Sequence, residues 1–353
     1  PPEAAAQPEP LDGGAGGRKP RPRVPVVRTA ATVVAGILLL ALLLYHAGVD
    51  DIHDRMDQLR WTAPLILLPW MVIACLDALG WRCALPPEAA ARVPFGSLVL
   101  VRMAGEAVNS MTPTAAVGGE PVKAHLLRAW GVSGADSMAS IVIAKTALTL
   151  SQSLFVVIGI AALCVREDRP GLGLALVVLL LGVTAGFTVG LVSLQRRGPV
   201  ATLWRWVRRI VPRAGFVARL EQSAQAIDAR LADFYRMDRG AFWRASLWHL
   251  TGWLLGVTEV ALIMRLIGAP VTWLDALVIE ALSQPIRAAA VVIPGGLGTQ
   301  EVGGVALCNL IGIPEAEGAT LWLLKRGREL VFDGVGLLYL ARRSTARAQE
   351  PPR

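Results

Sequence analysis

The sequence predicts an all-α polytopic integral membrane protein, with about six full spans and two oppositely oriented re-entrant helical hairpins in an inverted repeat. Three observations predict it. Of 353 residues 54% are apolar and only 18% charged, with a mean hydropathy of +0.51, whereas soluble proteins carry about 25% charged residues. Apolar windows recur near 28–45, 62–81, 135–164, 171–194, 243–266 and 318–341, and about 20 such residues cross a hydrocarbon core as helix. Finally, the chain repeats a polar signature inside apolar surroundings: Pro113, Gly118, Gly119 and Glu120, then Pro294, Gly295, Gly296, Gly298 and Glu301, 181 positions on.

In each copy a proline precedes a glutamate by seven residues, with glycines between. The register continues, since Gly131 matches Gly312, Ala135 matches Ala316, Asp136 matches Glu317 and Lys145 matches Arg326. Weak internal symmetry around interrupted apolar helices is the pattern of a membrane transporter built from two repeats. The segments divide into a disordered cytoplasmic tail over 1–25, a membrane domain over 26–343 and a disordered tail over 344–353. Repeat one covers 26–165 and repeat two 171–343, the second interrupted by a basic linker over 195–241.

Loop charge sets the topology. Arg18, Lys19, Arg21, Arg23 and Arg28 precede the first span and belong in the cytoplasm, while the acidic loop with Asp50, Asp51 and Asp54 lies outside. The loop with Arg82 and Arg92 returns to the cytoplasm. So must the linker, with Arg196, Arg197, Arg205, Arg208, Arg209 and Arg213, and the end at Arg342 and Arg343. A simple span over 95–112 would force both outside, so 95–132 reads as a hairpin, and 275–313 as a second hairpin from the opposite face. Non-helical backbone at membrane depth is tolerated only against protein or a water-filled cavity. The breaks therefore mark a protein-lined interior. An odd number of crossings per repeat inverts the second copy, which agrees with the sequence repeat.

Ionisable groups in apolar segments need a partner, a cavity or a job. Arg102, Glu106 and Asn109 share one helix face in the first hairpin, and Glu280, Gln284 and Arg287 form a similar stripe in the second. Two readings stand for Arg102 with Glu106 and Glu280 with Arg287: internal ion pairs, or direct contact with a transported molecule. Glu120 and Glu301 follow the breaks, where a carboxylate can cap a short helix; alternatively they bind a cation, take up a proton, or pair with Lys145 and Arg326. Lys145 stands in an otherwise apolar run, and Arg326 among Lys325, Arg328 and Glu329. Such bases facing a cavity can hold a phosphate or another anionic head group, although Arg328 with Glu329 can be structural pairing. His249 and Glu259 are weaker candidates.

The +8 net charge sits largely beside spans, where it orients the chain and meets anionic lipid, so no nucleic-acid partner is expected. Cys75, Cys83, Cys164 and Cys308 lack metal or redox spacing and read as apolar filler. No metal and no cofactor are expected. Phe216, Leu220, Ile227, Leu231 and Phe234 form a helical stripe, with Trp204 and Trp206 among arginines; an interfacial amphipathic helix explains both.

The chain resembles the flippase-like transmembrane family that includes the membrane region of lysylphosphatidylglycerol synthases, and within it the hopanoid-biosynthesis-associated membrane proteins. The resemblance is carried by Gly105, Glu106 and Asn109 through Pro113, then Val117 to Glu120, then Ile293, Pro294, Leu297, Gly298, Gln300 and Glu301, and Leu324 through Leu330. It covers roughly 95–345. It implies lipid handling: flipping of aminoacylated phospholipid in the synthases and a related lipid step in the hopanoid branch. The synthases' soluble aminoacyl-transferase domain is not among these residues, so lipid synthesis by that route is not expected. The resulting expectation is a non-enzymatic lipid flippase or transporter in the bacterial cytoplasmic membrane, with both termini cytoplasmic. It would move a phospholipid or hopanoid-related amphiphile by alternating access. Expected partners are membrane lipids, anionic head groups at the linker and lipid-biosynthesis enzymes. Two rivals remain, a glycosyltransferase using a lipid-linked donor through Asp50, Asp51, Asp54 and Asp57, and a non-transporting scaffold.

Overall fold

The computed structural model describes residues 26–112, 118–168, 170–197, 214–290, 293 and 296–348. The expected N-terminal tail, Pro113, Pro294, Gly295, Trp204 and Trp206 lie outside the described residues, as do the side chains of Phe216 and Leu220. Thirteen α-helices and no strand are described: α1 (Val26–Ala47), α2 (Val49–Leu59), α3 (Leu67–Ala84), α4 (Pro87–Arg92), α5 (Phe95–Met111), α6 (Glu120–Leu127), α7 (Gly134–Arg166), α8 (Pro170–Arg196), α9 (Ala214–Met237), α10 (Arg239–Leu266), α11 (Trp273–Ala289), α12 (Thr299–Leu310) and α13 (Glu315–Ala348). The protein is an all-α polytopic membrane protein.

Among the described residues, four helices are long and apolar enough to cross a membrane: Trp61–Ala84, Gly134–Arg166, Gly173–Arg196 and Arg239–Leu266. Of the other two expected spans, α1 contributes the apolar stretch Ile37–Ala47. The other, α13, is 34 residues long but carries Lys325, Arg326, Arg328, Glu329 and Asp333. Its length suffices to cross, and its polarity follows from what it faces: Lys325 and Arg328 are buried within the protein, away from lipid. It also continues to Ala348, past the expected boundary at 343.

Both hairpins are present as pairs of helices around a break, α5 with α6 and α11 with α12. Local chemistry sets their ends. Thr272 and Asp275 form a capping box at the start of α11, and Ser133 caps α7 by accepting from the Asp136 N–H at 3.0 Å. The turns into the two long helices match across the repeat: Gly131 and Gly312 both adopt a left-handed backbone, with φ of 69° and 81°, which glycine takes without a Cβ clash.

Packing follows the same repeat. The hairpin helix α5 lies on α13 of the other repeat, and α11 lies on α7, while the equivalent helices α3 and α10 pack against each other. Each hairpin is thus held by the opposite repeat's long helix. The matched residues Asp136 and Glu317 pair with Arg230 at 3.0 Å and Arg55 at 2.9 Å. Arg55 belongs to α2, so the stretch expected as an acidic loop is a helix whose start, at Asp50 and Asp51, suits the N-terminal dipole. The expected amphipathic stripe is real in part. Leu231 is fully buried, and Ile227 and Phe234 pack on the core, so α9 covers the bundle as well as presenting a polar face.

The first hairpin closes at a glycine contact: a Cβ on Gly119 would stand 1.9 Å from the Gly105 carbonyl oxygen. Gly119→Ala therefore forces the helices apart and should destabilise by about 1–3 kcal/mol, read as a lower thermal midpoint in detergent. Gly186→Ala, with nothing within 4 Å of the added carbon, should leave that midpoint unchanged.

Candidate functional site: a charge-lined cavity between the repeats

In repeat one, α6 begins at Glu120, which is buried. Its Oε1 lies 2.7 Å from Lys145 Nζ and its Oε2 3.4 Å from Lys123 Nζ. Lys123 also meets Glu106 Oε1 at 2.6 Å. Asn109 closes the hairpin, because its Oδ1 accepts from the Gly119 N–H at 2.7 Å while its Nδ2 donates to Glu120 at 3.3 Å and to Glu106 at 3.4 Å. The end of one short helix is thereby tied to the start of the next.

Repeat two builds the same pair with different surroundings. Glu301 in the first turn of α12 accepts from Arg326 at 2.6 Å. Arg326 also donates to Glu329 at 2.9 Å, and Arg287 reaches the other Glu329 oxygen at 3.1 Å. Lys325 pairs with Glu280, and Arg328 pairs with Glu259 at 3.1 Å. Gln152 on α7 donates to Gln284 on α11 at 3.2 Å, joining the repeats.

The two halves meet around one cavity of about 560 Å³. Its wall includes Arg102, Glu106, Asn109, Lys145, Glu280, Arg287, Arg326, Arg328 and Glu329. Lys145, with 41% of its side chain exposed, and Arg326 therefore face a common space. Glu120, Glu301 and Lys325 stand behind that wall rather than on it. Trp70, Trp253 and Phe332 supply aromatic surface.

Several expected pairings are replaced. Arg102 pairs with Asp77 at 2.6 Å rather than with Glu106, whose partner is Lys123. Glu280 and Arg287 do not pair with each other, because Lys325 and Glu329 approach them from α13. Arg328 keeps the expected pairing with Glu329, at 3.6 Å, and adds a shorter one with Glu259. For Arg102 with Glu106 and Glu280 with Arg287, a neighbouring helix supplies a better-placed opposite charge than the same helix does. Neither Glu120 nor Glu301 acts as a side-chain N-cap, since Gly119 and Gly298 hold the cap positions without a side-chain bond. Both glutamates contact the predicted bases instead.

Asp77 and Lys123 belong to the candidate site and were not expected from the sequence. Each had a signal: Asp77 is an acid inside an apolar span, and Lys123 falls one turn beyond Glu120. Asp77 joins Arg102 to His249, at 2.7 Å from the imidazole Nδ1. Glu259, the other weaker candidate, belongs to the cavity wall. Asp50, Asp51, Asp54 and Asp57 lie apart from it on α2, exposed. Among the described residues no group of three or more His, Cys, Asp or Glu is arranged to hold a metal.

The chain matches the family model for the lysylphosphatidylglycerol synthase TM region over residues 29–335. It is 23% identical over 313 residues to a UPF0104 membrane protein of Pyrococcus horikoshii, covering 83% of this chain and 90% of that protein. A UPF0104 membrane protein of Methanothermobacter thermautotrophicus is 24% identical over 309 residues, covering 84% and 90% respectively. No solved structure matches. Matched over residues 29–335, most of its length, this chain belongs to the lysylphosphatidylglycerol synthase transmembrane-region family.

Proposed function

We propose that the protein is a lipid flippase or transporter that carries the polar head group of an amphiphilic lipid through the central cavity while the acyl or ring portion stays in the bilayer. The observation that carries this reading is the convergence of Lys145 and Arg326, equivalent residues of the two repeats, on one cavity with equivalent glutamates behind them. Family membership adds a lipid context, and an aminoacylated or unmodified phospholipid or a hopanoid-related lipid fits it. The role is transport without covalent chemistry, in the bacterial cytoplasmic membrane with both termini inside. Anionic lipid at the basic linker and lipid-biosynthesis enzymes are its partners.

The paired state of the bases shapes the mechanism. A bare charge in this interior is costly, so the bases stay neutralised until a head group arrives. A phosphate then takes the place of Glu120 at Lys145, and Lys123 retains the released carboxylate. At Arg326 the phosphate competes with Glu301 and Glu329. Exchange of ion-pair partners leaves no base unpaired as rocking of one repeat against the other opens the cavity to alternate faces. Arg102 provides a further head-group contact. The remaining wall groups tune selectivity.

Reconstitution into vesicles with a head-group-labelled phospholipid tests this reading. Glu120→Gln and Glu301→Gln should each slow translocation at least about tenfold, equivalent to about 1.4 kcal/mol in the barrier, while folding is retained. Undiminished translocation in both variants would remove the glutamates from the mechanism.

A further inference from the structure

We infer that His249 is a proton site coupled to binding of an anionic phosphodiester at Lys145; this rests on the lipid-handling reading and names the ion that accompanies the lipid. The imidazole is 3% exposed. Its Nδ1 lies 2.7 Å from one Asp77 oxygen, and the other Asp77 oxygen accepts from Arg102 at 2.6 Å. A carboxylate paired with arginine has only lone pairs to offer, so the imidazole proton belongs on Nδ1. Nε2 then presents its own lone pair. That atom is buried without a hydrogen-bond partner among the described residues, and a buried polar atom left so calls for an explanation. The space it occupies is made by Gly80, where a Cβ would stand 2.7 Å from Nε2.

His249 lines a side chamber of about 40 Å³. One water needs about 10–15 Å³ of such space and two or more polar partners, both of which the chamber offers. Asp77, Arg102, Glu106, Lys145 and Leu148 line this chamber and the main cavity alike. Five shared lining residues place the chamber beside the cavity, and a water held there would carry a proton from the cavity side toward His249. Histidine is the side chain suited to such duty, because its charge changes between about pH 5 and 8.

The charge balance supplies the coupling. Sharing the chamber with His249 are Asp77 on α3, which touches it, Arg102 and Glu106 on α5, Glu120 and Lys123 on α6, and Lys145 on α7. Three acids and three bases sum to zero with His249 neutral. A phosphodiester at Lys145 brings the cluster to −1, and a proton on Nε2 restores neutrality. In a poorly screened interior that compensation favours joint binding, and the linkage is reciprocal: what the anion does to proton affinity, the proton does to anion affinity. The symmetry-related place has no such pair, since the positions equivalent to His249 and Asp77 are Leu68 and Thr258. The device is single, so one proton accompanies one head group.

The test uses the purified full chain in detergent, with short-chain phosphatidylglycerol as probe and its deacylated head group, glycerophosphoglycerol, as a second. Wild type should bind the lipid at least about fivefold more tightly at pH 6 than at pH 8, with a net uptake of up to one proton per lipid in calorimetry in two buffers. Both effects should vanish in His249→Gln. Short-chain phosphatidylcholine, already charge-balanced, should show neither. If glycerophosphoglycerol reproduces the effect, the head group alone is the coupled ligand; if only the lipid does, the acyl chains are needed to place it. Equal binding at the two pH values in wild type, or the same dependence kept in His249→Gln, would overturn the coupling while leaving the lipid reading intact. Absence of any binding of either probe to wild type would overturn both. In case His249→Gln misfolds, nitrogen-15 histidine resonances of wild type, which has four histidines, provide a check. The His249 signal should move reversibly with pH and shift on adding lipid, and a signal unmoved by either overturns the inference.

Discussion

Neutralisation of charge where water is scarce is the constraint on which the rest of this structure depends. A lone ammonium or carboxylate cannot be held in a membrane interior without compensation, yet seven bases are gathered at or just behind the cavity wall. Lys123, Lys145, Arg102, Arg287, Lys325, Arg326 and Arg328 each have a carboxylate partner. The partners come from different helices, so folding and charge pairing are the same event. Without Glu280, Lys325 would be left buried and unpaired on α13, and the contact of that helix with α11 would lose its polar anchor.

This constraint also explains why the helices are broken. A continuous helix carries its side chains past the cavity, whereas a break lets Glu120 and Glu301 start new helices at membrane depth. Their carboxylates then sit in a favourable dipole position within reach of Lys145 and Arg326. The reciprocal packing of each hairpin on the opposite long helix gives the two pairs one cavity. Differences between the halves then become informative. Lys123 has no equivalent in repeat two, where position 304 is glycine, and His249 has none in repeat one. Symmetry therefore accounts for the shared frame of the cavity, and asymmetry for the different charges that line its two sides.

Much of this was legible in the sequence. The repeat offset of 181 placed Glu120 with Glu301 and Lys145 with Arg326, and the two long helices that carry the bases begin at the corresponding positions Gly134 and Glu315. Ion-pair partners were less legible. Spacing of three or four residues shows that Arg102 and Glu106 share a helix face, but which opposite charge is closer depends on crossing helices. Asp77 reaches Arg102 from α3, 25 positions away in sequence, and nothing local announces that contact. The acidic stretch after α1 was misread for a related reason: its charges suit an outer loop, yet Ile52 and Leu59 bury one face and make it a helix.

The central claim is that Lys145 and Arg326 open onto one shared cavity. It is tested most directly by thiol accessibility in a chain whose four native cysteines have been replaced. Single cysteines at positions 145 and 326 would be probed with a membrane-impermeant reagent in right-side-out and inverted vesicles. A shared cavity predicts that both positions react from the same face or faces, and that an anionic head group protects both. Reaction of one position only from outside and the other only from inside would contradict it, by placing the two bases in separate vestibules.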